Sequence, residues 1–202
     1  MIAIIDYGMG NIHSVQKALE SQGAKVIVTN NPEEIKKAEK IVLPGVGAFD
    51  DAVIELEKQN LVSVIKDCIK NKKPFLGICL GMQLLFEASD EAKIKKGLGV
   101  FKGVVKKFVA KKDLKVPHMG WNQLKIFGNC LLLKGVPENS NVYFCHSYYP
   151  QTKDKNVIAA TCNYGLDFAA VVAQNNVYGV QFHPEKSQDL GLLMLKNFVE
   201  LC

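Results

Sequence analysis

The sequence lacks three features, and each absence excludes a class of protein. No apolar run among the 202 residues reaches the roughly 18–20 residues that cross a bilayer, so a helical membrane protein is excluded. The six cysteines occur without CxxC spacing, which argues against a disulfide framework and a structural zinc site. There is no internal repeat, low-complexity segment or linker-like stretch, so we expect one domain spanning residues 1–202.

The sequence also lacks a targeting signal and a strong excess of one charge. The chain starts without a basic leader or a small-residue cleavage site, which predicts a cytoplasmic protein with no membrane partner. The formal net charge is only +5, and the lysines lie in short clusters such as 93–97 and 102–115. Short clusters of this kind are typical of a solvated surface, and we expect no nucleic-acid partner.

The first half of the chain alternates between short apolar runs and helical patterns. The predicted strands are 2–6, 25–29, 40–44 and 74–78. The predicted helices begin near Ser14, at Pro32 behind an Asn31 N-cap, and cover 50–71 and 80–89. Buried strands separated by helices of this length form parallel βαβ units, so we predict an α/β fold with a mixed, mostly parallel central sheet and helices on both faces.

From about Gly99 the pattern changes to short strands separated by turn residues. The predicted strands are 103–110, 130–133, 142–149, 157–161, 168–174 and 177–182, followed by a final helix at about 189–201. The whole chain is therefore expected to form one domain with a mixed sheet.

Cys79 lies at the junction between the fourth predicted strand and the helix after it. Residues 77–81 read G-I-C-L-G, the cysteine counterpart of the G-x-S-x-G nucleophile elbow. In such a turn the flanking glycines, Gly77 and Gly81, are required because a side chain there would collide with neighbouring backbone. A following helix N-terminus would favour the thiolate, and the Leu80 N–H would point to where an oxyanion forms. A buried cysteine that only packs is the alternative interpretation of the same residues.

A cysteine nucleophile needs a base, and His183 is the best placed of the four histidines. It directly follows an apolar strand and precedes Pro184, at the carboxyl edge of the predicted sheet. Glu185 is two residues further on and would orient the imidazole, as the third member of a catalytic triad does.

Three motifs together carry a resemblance to a known family. "GICLGMQLLF" (77–86), "PGVGAF" (44–49) and "GVQFHPEKS" (179–187) resemble the class I, or triad-type, glutamine amidotransferases, whose fold is flavodoxin-like. Further segments resemble the branch of that family that serves histidine biosynthesis: "DYGMGNIHSV" (6–15), "PHMGWN" (117–122), "HSYY" (146–149) and "YGLDFAAVV" (164–172). The resemblance runs from the first strand to the last helix.

The resemblance implies a role for each residue of the motifs. Cys79 would attack the side-chain amide of glutamine, His183 would carry the proton, and Glu185 would hold His183. The oxyanion hole would be formed by Leu80 and by a glycine-rich loop that must reorient, with the residues Gly45, Val46 and Gly47. The implied substrate-binding residues are Gln83, His146, Ser147 and Tyr148, and those facing a partner are Asn11, Trp121 and Lys186.

The resemblance also implies a partner, and no metal or other cofactor. Ammonia released from L-glutamine would pass to a (β/α)8 barrel cyclase subunit, in a heterodimer that makes imidazole glycerol phosphate and aminoimidazole carboxamide ribotide. Three alternatives stay open from the residues alone. The same glutaminase could feed a different synthase, such as a surface-sugar amidotransferase; the elbow could belong to a cysteine peptidase or other amide hydrolase; or the chain could be a non-enzymatic redox relative.

Overall fold

The structure, a computed structural model, describes residues 1–112 and 114–202. The first half contains β1 Ile2–Ile5, α1 Ile12–Ser21, β2 Val26–Thr29, α2 Pro32–Lys37, β3 Lys40–Gly45, α3 Phe49–Lys58, α4 Leu61–Lys70, β4 Phe75–Cys79, α5 Leu80–Gln83 and β5 Phe86–Ser89. The second half contains β6 Phe101–Lys107, β7 His118–Gln123, β8 Lys125–Ile126, β9 Asn141–His146, β10 Tyr148–Gln151, β11 Ile158–Asn163, β12 Asp167–Gln174, β13 Val177–Val180 and α6 Gln188–Glu200. Within the described residues, no helix is long and apolar enough to span a membrane.

A large mixed sheet forms the centre of the molecule. Over the described residues its strand order is β2-β1-β3-β4-β13-β12-β11-β8. The strands from β2 to β13 in this order pair in parallel, and the remaining pairs are antiparallel. Two small sheets, β10-β6-β5 and β7-β9, lie outside it. The predicted fold class is therefore confirmed.

Helices cover both faces of the sheet because successive strand residues point to opposite sides. In β1, Ile2 and Ile4 belong to the core that contains the buried residues of α1 and α6, whereas Ala3 and Ile5 belong to the core beneath α2, α3 and α4. The carboxyl ends of the parallel strands β3, β4 and β13 lie side by side at one edge. This edge is where the motifs of the first and second halves meet.

The α2 N-terminus is confirmed as predicted. Asn31 precedes the helix in an extended conformation, and its side chain accepts a hydrogen bond of 2.9 Å from the Glu33 N–H. Pro32 occupies the first turn together with acidic residues, which the helix dipole favours there.

The predicted single helix over 50–71 is wrong, because two helices occupy this range. Asn60 adopts a left-handed conformation, with φ 58° and ψ 26°, which ends α3 and restarts the chain as α4. Asparagine tolerates this conformation better than most residues. The break shifts the helical phase, so α4 buries Leu61, Val64, Ile65 and Cys68.

Three further predictions are wrong. The single strand predicted over 142–149 is two strands, β9 and β10, which belong to different sheets. The helix predicted over 80–89 lasts only one turn, α5, and β5 follows it and pairs in parallel with β6. Every residue from 80 to 86 is buried, so there is no polar face on which a longer helix could be recognised. The strand predicted over 130–133 is a 3₁₀ turn, Leu131–Leu133.

Candidate active site

Cys79 occupies a strained turn between β4 and α5. It is the last residue of β4, has φ 54° and ψ −110°, and is followed at once by the helical residue Leu80. A positive φ is rare for a residue with a side chain and costs conformational energy. This is the strand–turn–helix geometry that the nucleophile-elbow pattern requires.

The glycines on either side of Cys79 are needed for close backbone packing. A Cβ on Gly77 would lie 2.6 Å from the carbonyl oxygen of Gly81, and a Cβ on Gly81 would overlap the carbonyl oxygen of Leu43 in β3. The structure therefore confirms that the glycines make room for the bend.

His183 and Glu185 form a buried pair next to Cys79. The His183 Nδ1 lies 2.9 Å from the Glu185 Oε1, and the two side chains are 6% and 1% exposed. Burial alone would lower the pKa of His183, but hydrogen bonds to Cys79 and Glu185 outweigh it and raise that pKa to about 10. Both neighbours therefore favour the protonated form of the imidazole. The three predicted triad side chains are brought together.

A pocket of about 400 Å³ opens over this group. Eleven of the predicted site residues line it: Asn11, Val46, Gly47, Cys79, Leu80, Gln83, His146, Ser147, Tyr148, His183 and Lys186. The other three lie elsewhere. Glu185 is buried and bonds to His183. Gly45 is buried at the end of β3. Trp121 is 48% exposed on β7 and packs against Tyr143, which lines the pocket.

The loop that follows β3 contacts the nucleophile turn. Gly45 is paired with Cys79 across the β3–β4 ladder, and a Cβ on Gly45 would lie 3.0 Å from both the Gly81 nitrogen and the Leu80 Cβ. Gly47 has φ +100°, and Val46 is 42% exposed. Val46 and Gly47 of this loop line the same pocket as Leu80.

Two predicted substrate-binding side chains are committed to protein partners. Gln83 donates from Nε2 to the Tyr148 carbonyl at 3.0 Å and to the Gln181 Oε1 at 3.1 Å, so only its Oε1 remains available to a ligand. The His146 imidazole bonds to the Tyr148 carbonyl at 2.7 Å and to the His118 Nδ1 at 3.0 Å. Neither ring nitrogen of His146 is therefore free for a ligand, and its backbone is part of the β7–β9 ladder.

Sequence reasoning missed two polar residues of this region. Gln181 is completely buried and donates from Nε2 to the Cys79 Sγ at 3.8 Å. Glu91 lines the pocket, accepts a hydrogen bond of 2.9 Å from the Phe49 N–H, and has a pKa raised by burial. Gln181 lies inside the quoted "GVQFHPEKS" and could have been noticed there, whereas nothing in the local sequence singles out Glu91.

The arrangement can support acyl transfer through a thiolate. It supplies a sulfur nucleophile, a histidine whose pKa is raised, a carboxylate that orients the histidine, and the Leu80 backbone next to the nucleophile. Among the described residues, no group of three or more His, Cys, Asp or Glu side chains is placed to hold a metal ion.

The chain is similar to known proteins over nearly its whole length. The model of the family described as "Glutamine amidotransferase class-I" matches residues 3–201. Imidazole glycerol phosphate synthase subunit HisH from Geobacter sulfurreducens is 51% identical over 205 residues, which cover 99% of this chain and 98% of that protein. Proteins of the same name from Bacillus cereus and Cyanophora paradoxa are 50% identical and cover 98% of this chain and 93% of their own length.

Solved structures share the fold at low sequence identity. A crystal structure of a glutamine amidotransferase has a TM-score of 0.75 at 16% identity, covering 97% of this chain and 99% of that one. The glutaminase domain of CTPS from Trypanosoma brucei, with bound acivicin, has a TM-score of 0.71 at 17% identity and covers 98% of this chain and 93% of that one. Identities this low are evidence for the fold alone.

Proposed function

The chain belongs to the class-I glutamine amidotransferase family, and from that membership we infer that it is the glutaminase subunit of an imidazole glycerol phosphate synthase. It hydrolyses L-glutamine to L-glutamate and ammonia, in a single domain of residues 1–202 located in the cytoplasm, where amino-acid precursors are made. The observation that carries the proposal is the buried His183–Glu185 pair beside a cysteine at positive φ. Identity of about 50% to HisH subunits over 98–99% of the chain supports histidine biosynthesis as the pathway.

Acylation is the first half of the proposed reaction. The Cys79 thiolate attacks the side-chain amide carbon of glutamine, and the carbonyl oxygen becomes an oxyanion. The Leu80 N–H and an N–H of the Gly45–Gly47 loop stabilise that charge once the loop has reoriented. His183 then gives its proton to the nitrogen, the C–N bond breaks, and ammonia leaves a glutamyl thioester on the sulfur. The raised pKa of His183 supports this step, because it favours the protonated imidazole that donates to the nitrogen.

Hydrolysis of the thioester is the second half. Neutral His183 takes a proton from water as the water attacks the thioester carbon, and the C–S bond breaks to release glutamate and regenerate the thiolate. Glu185 holds the imidazole in one orientation and stabilises its charged form throughout. No cofactor is part of this mechanism.

We propose that glutamine binds in the pocket through polar groups that match its own. The amino-acid end of glutamine is a zwitterion, and Glu91 is the one carboxylate among the described residues that line the pocket. Glu91 would therefore pair with the α-ammonium group, while the segment from His146 to Tyr148 would meet the α-carboxylate through the backbone of Ser147 and Tyr148. The free Gln83 Oε1 would accept from the substrate.

Ammonia must reach a second enzyme, and we propose the (β/α)8 barrel cyclase subunit (HisF) as the partner in a heterodimer. Asn11 and Lys186 lie at the pocket, and Trp121 is exposed beside it, so the proposed interface surrounds the pocket mouth. Ammonia released there would enter the barrel and give imidazole glycerol phosphate and aminoimidazole carboxamide ribotide. Family membership argues against the peptidase and redox alternatives, and the HisH relatives do not favour a sugar-amidating partner.

Glutamine hydrolysis by wild type and Cys79→Ala, each with and without the barrel subunit and its nucleotide ligand, tests the proposal. Activity should rise on complex formation, because the partner stabilises the loop state that completes the oxyanion hole. Cys79→Ala should abolish it without weakening the complex. Cys145→Ala is the matched control, since Cys145 is a half-buried cysteine of the same pocket and should leave activity intact. Full turnover by the isolated chain would contradict the partner requirement, and an active Cys79→Ala would contradict the mechanism.

A further inference from the structure

Gln181 is a buried polar side chain that contacts both the nucleophile Cys79 and Gln83. It follows β13, is 0% exposed, and its backbone N–H bonds to the Ala170 carbonyl at 2.9 Å. Its Nε2 faces the Cys79 Sγ at 3.8 Å, and its Oε1 accepts from Gln83 at 3.1 Å. Both ends of the carboxamide therefore have a partner.

The orientation of the Gln181 amide is determined by a backbone carbonyl. A carbonyl oxygen can only accept, so the Tyr148 carbonyl requires Gln83 to present its NH₂ group. The second N–H of that group then donates to the Gln181 Oε1. The Gln181 NH₂ must consequently point at the sulfur. Flipping Gln181 would set its NH₂ group against the NH₂ group of Gln83 and its oxygen against the sulfur.

The Tyr148 carbonyl also accepts a hydrogen bond from a buried pair of histidines. The His146 Nδ1 donates to it at 2.7 Å, so the His146 Nε2 is an acceptor and takes its hydrogen bond from the His118 Nδ1 at 3.0 Å. The His118 Nε2 then accepts from the Asn122 Nδ2 at 3.2 Å. The remaining N–H of Asn122 donates to the Asn163 carbonyl at 2.9 Å. Every member of this chain has one consistent donor or acceptor role, from Asn122 to the sulfur.

We propose that Gln181 is a positioning residue for Cys79: it holds the sulfur in the attacking orientation and donates a hydrogen bond that stabilises the thiolate. The inference rests on the proposed function in taking Cys79 as the nucleophile. A hydrogen bond to the charged form favours that form over the neutral thiol.

Gln181→Met tests the proposal, because methionine has a similar volume and no donor. The rate of Cys79 alkylation by iodoacetamide, followed against pH by mass spectrometry of the Cys79 peptide, should shift to higher pH by about one unit. In the complex, kcat for glutamine should fall about 10- to 100-fold, as expected for loss of a hydrogen bond to a charged group, with KM changed less than about threefold. Gln181→Glu, which is isosteric and places an acceptor beside the sulfur, should shift the alkylation profile further.

The matched control is Asn197→Leu. Asn197 is another buried amide, on α6, and it donates to the Leu132 and Lys134 carbonyls. Its loss should lower stability but leave the alkylation profile of Cys79 unchanged. Folded Gln181→Met and Gln181→Glu with wild-type profiles and wild-type kcat would overturn the proposal while leaving the glutaminase function intact. A shifted profile in a protein that never hydrolyses glutamine would support the positioning role and contradict the proposed function instead.

Discussion

Buried polar groups crowd around Cys79, and their charge states differ because their partners differ. His183 and His146 are both almost completely buried. The pKa of His183 is raised to about 10, because Cys79 and Glu185 bond to it, whereas burial lowers the pKa of His146 to about 3, and its partners are a carbonyl and a second histidine. A buried imidazole keeps its proton only where an anion faces it. Cys79 and Glu185 together therefore favour the protonated form of His183.

The Tyr7 hydroxyl is a buried group without a hydrogen-bond partner among the described residues. Tyr7 is 1% exposed, its hydroxyl lies against Gly45, and burial raises its pKa. An unpaired buried hydroxyl has lost its hydrogen bonds to water without replacing them. This group therefore opposes folding.

Tyr7→Phe should raise the free energy of unfolding by about 1 kcal/mol, because it removes the unpaired hydroxyl and keeps the ring in place. Urea denaturation of the isolated chain measures the change. The matched control is Tyr164→Phe, since the Tyr164 hydroxyl donates to the Lys115 carbonyl at 2.7 Å and its loss should destabilise the protein by a similar amount. Equal destabilisation by both substitutions would mean that the Tyr7 hydroxyl has a partner in solution.

At the scale of elements, the nucleophile turn depends on how closely α5 approaches β3. Gly81 in α5 packs against the backbone of Leu43, and no side chain fits between them. The helix itself has one turn, so its dipole supplies less stabilisation of a thiolate than the sequence pattern suggested. The β3–α5 contact, rather than a long helix, holds the turn.

Gly81→Ala should destabilise the protein by roughly 3 kcal/mol or more, because the added methyl overlaps a backbone oxygen that cannot move alone. Thermal unfolding checks this. Gly128→Ala provides the comparison. Gly128 has φ +60° but open space around it, so the variant should lose only the about 1–2 kcal/mol of stability that a left-handed conformation costs alanine. A Gly81 variant no less stable than the Gly128 variant would contradict the packing argument.

The errors of element prediction have local causes. The buried run 80–86 offers no polar face, so its change from one helical turn to β5 cannot be recognised from periodicity. The break between α3 and α4 depends on one residue, Asn60, in a conformation that asparagine tolerates but does not require. The α2 cap was predictable, because Asn31 and Glu33 are close in sequence and bond directly.

At the scale of the whole molecule, the pair His118–His146 should make the free energy of unfolding depend on pH. Burial lowers the pKa of His118 to about 4 and that of His146 to about 3, and the pair packs among Phe108, Phe144 and Phe168. Unfolded histidine titrates near pH 6.5, so below that pH the unfolded chain binds protons that the folded chain does not.

The free energy of unfolding should therefore fall between pH 7 and pH 5, by roughly 2 kcal/mol from His118 alone. His183 acts in the opposite direction but changes less over this range, because its pKa is raised and its contribution is lost mainly as pH rises above 6.5 toward 10. Urea titrations at both pH values measure the slope. His118→Phe should flatten it, whereas substitution of the exposed His13 by Gln should not. A slope unchanged in His118→Phe would contradict the assignment.

The sequence by itself determined the features that depend on neighbours along the chain. These are the βαβ alternation, the α2 cap, and the glycines that let Cys79 end a strand at positive φ, because each follows from backbone conformation within a few residues. Only the tertiary structure decided which distant groups meet. Gln181, Gln83 and Tyr148 lie on different elements, and Glu91 reaches the pocket from the chain after β5. Such contacts form only when the sheet brings those elements together, so no spacing in the sequence encodes them.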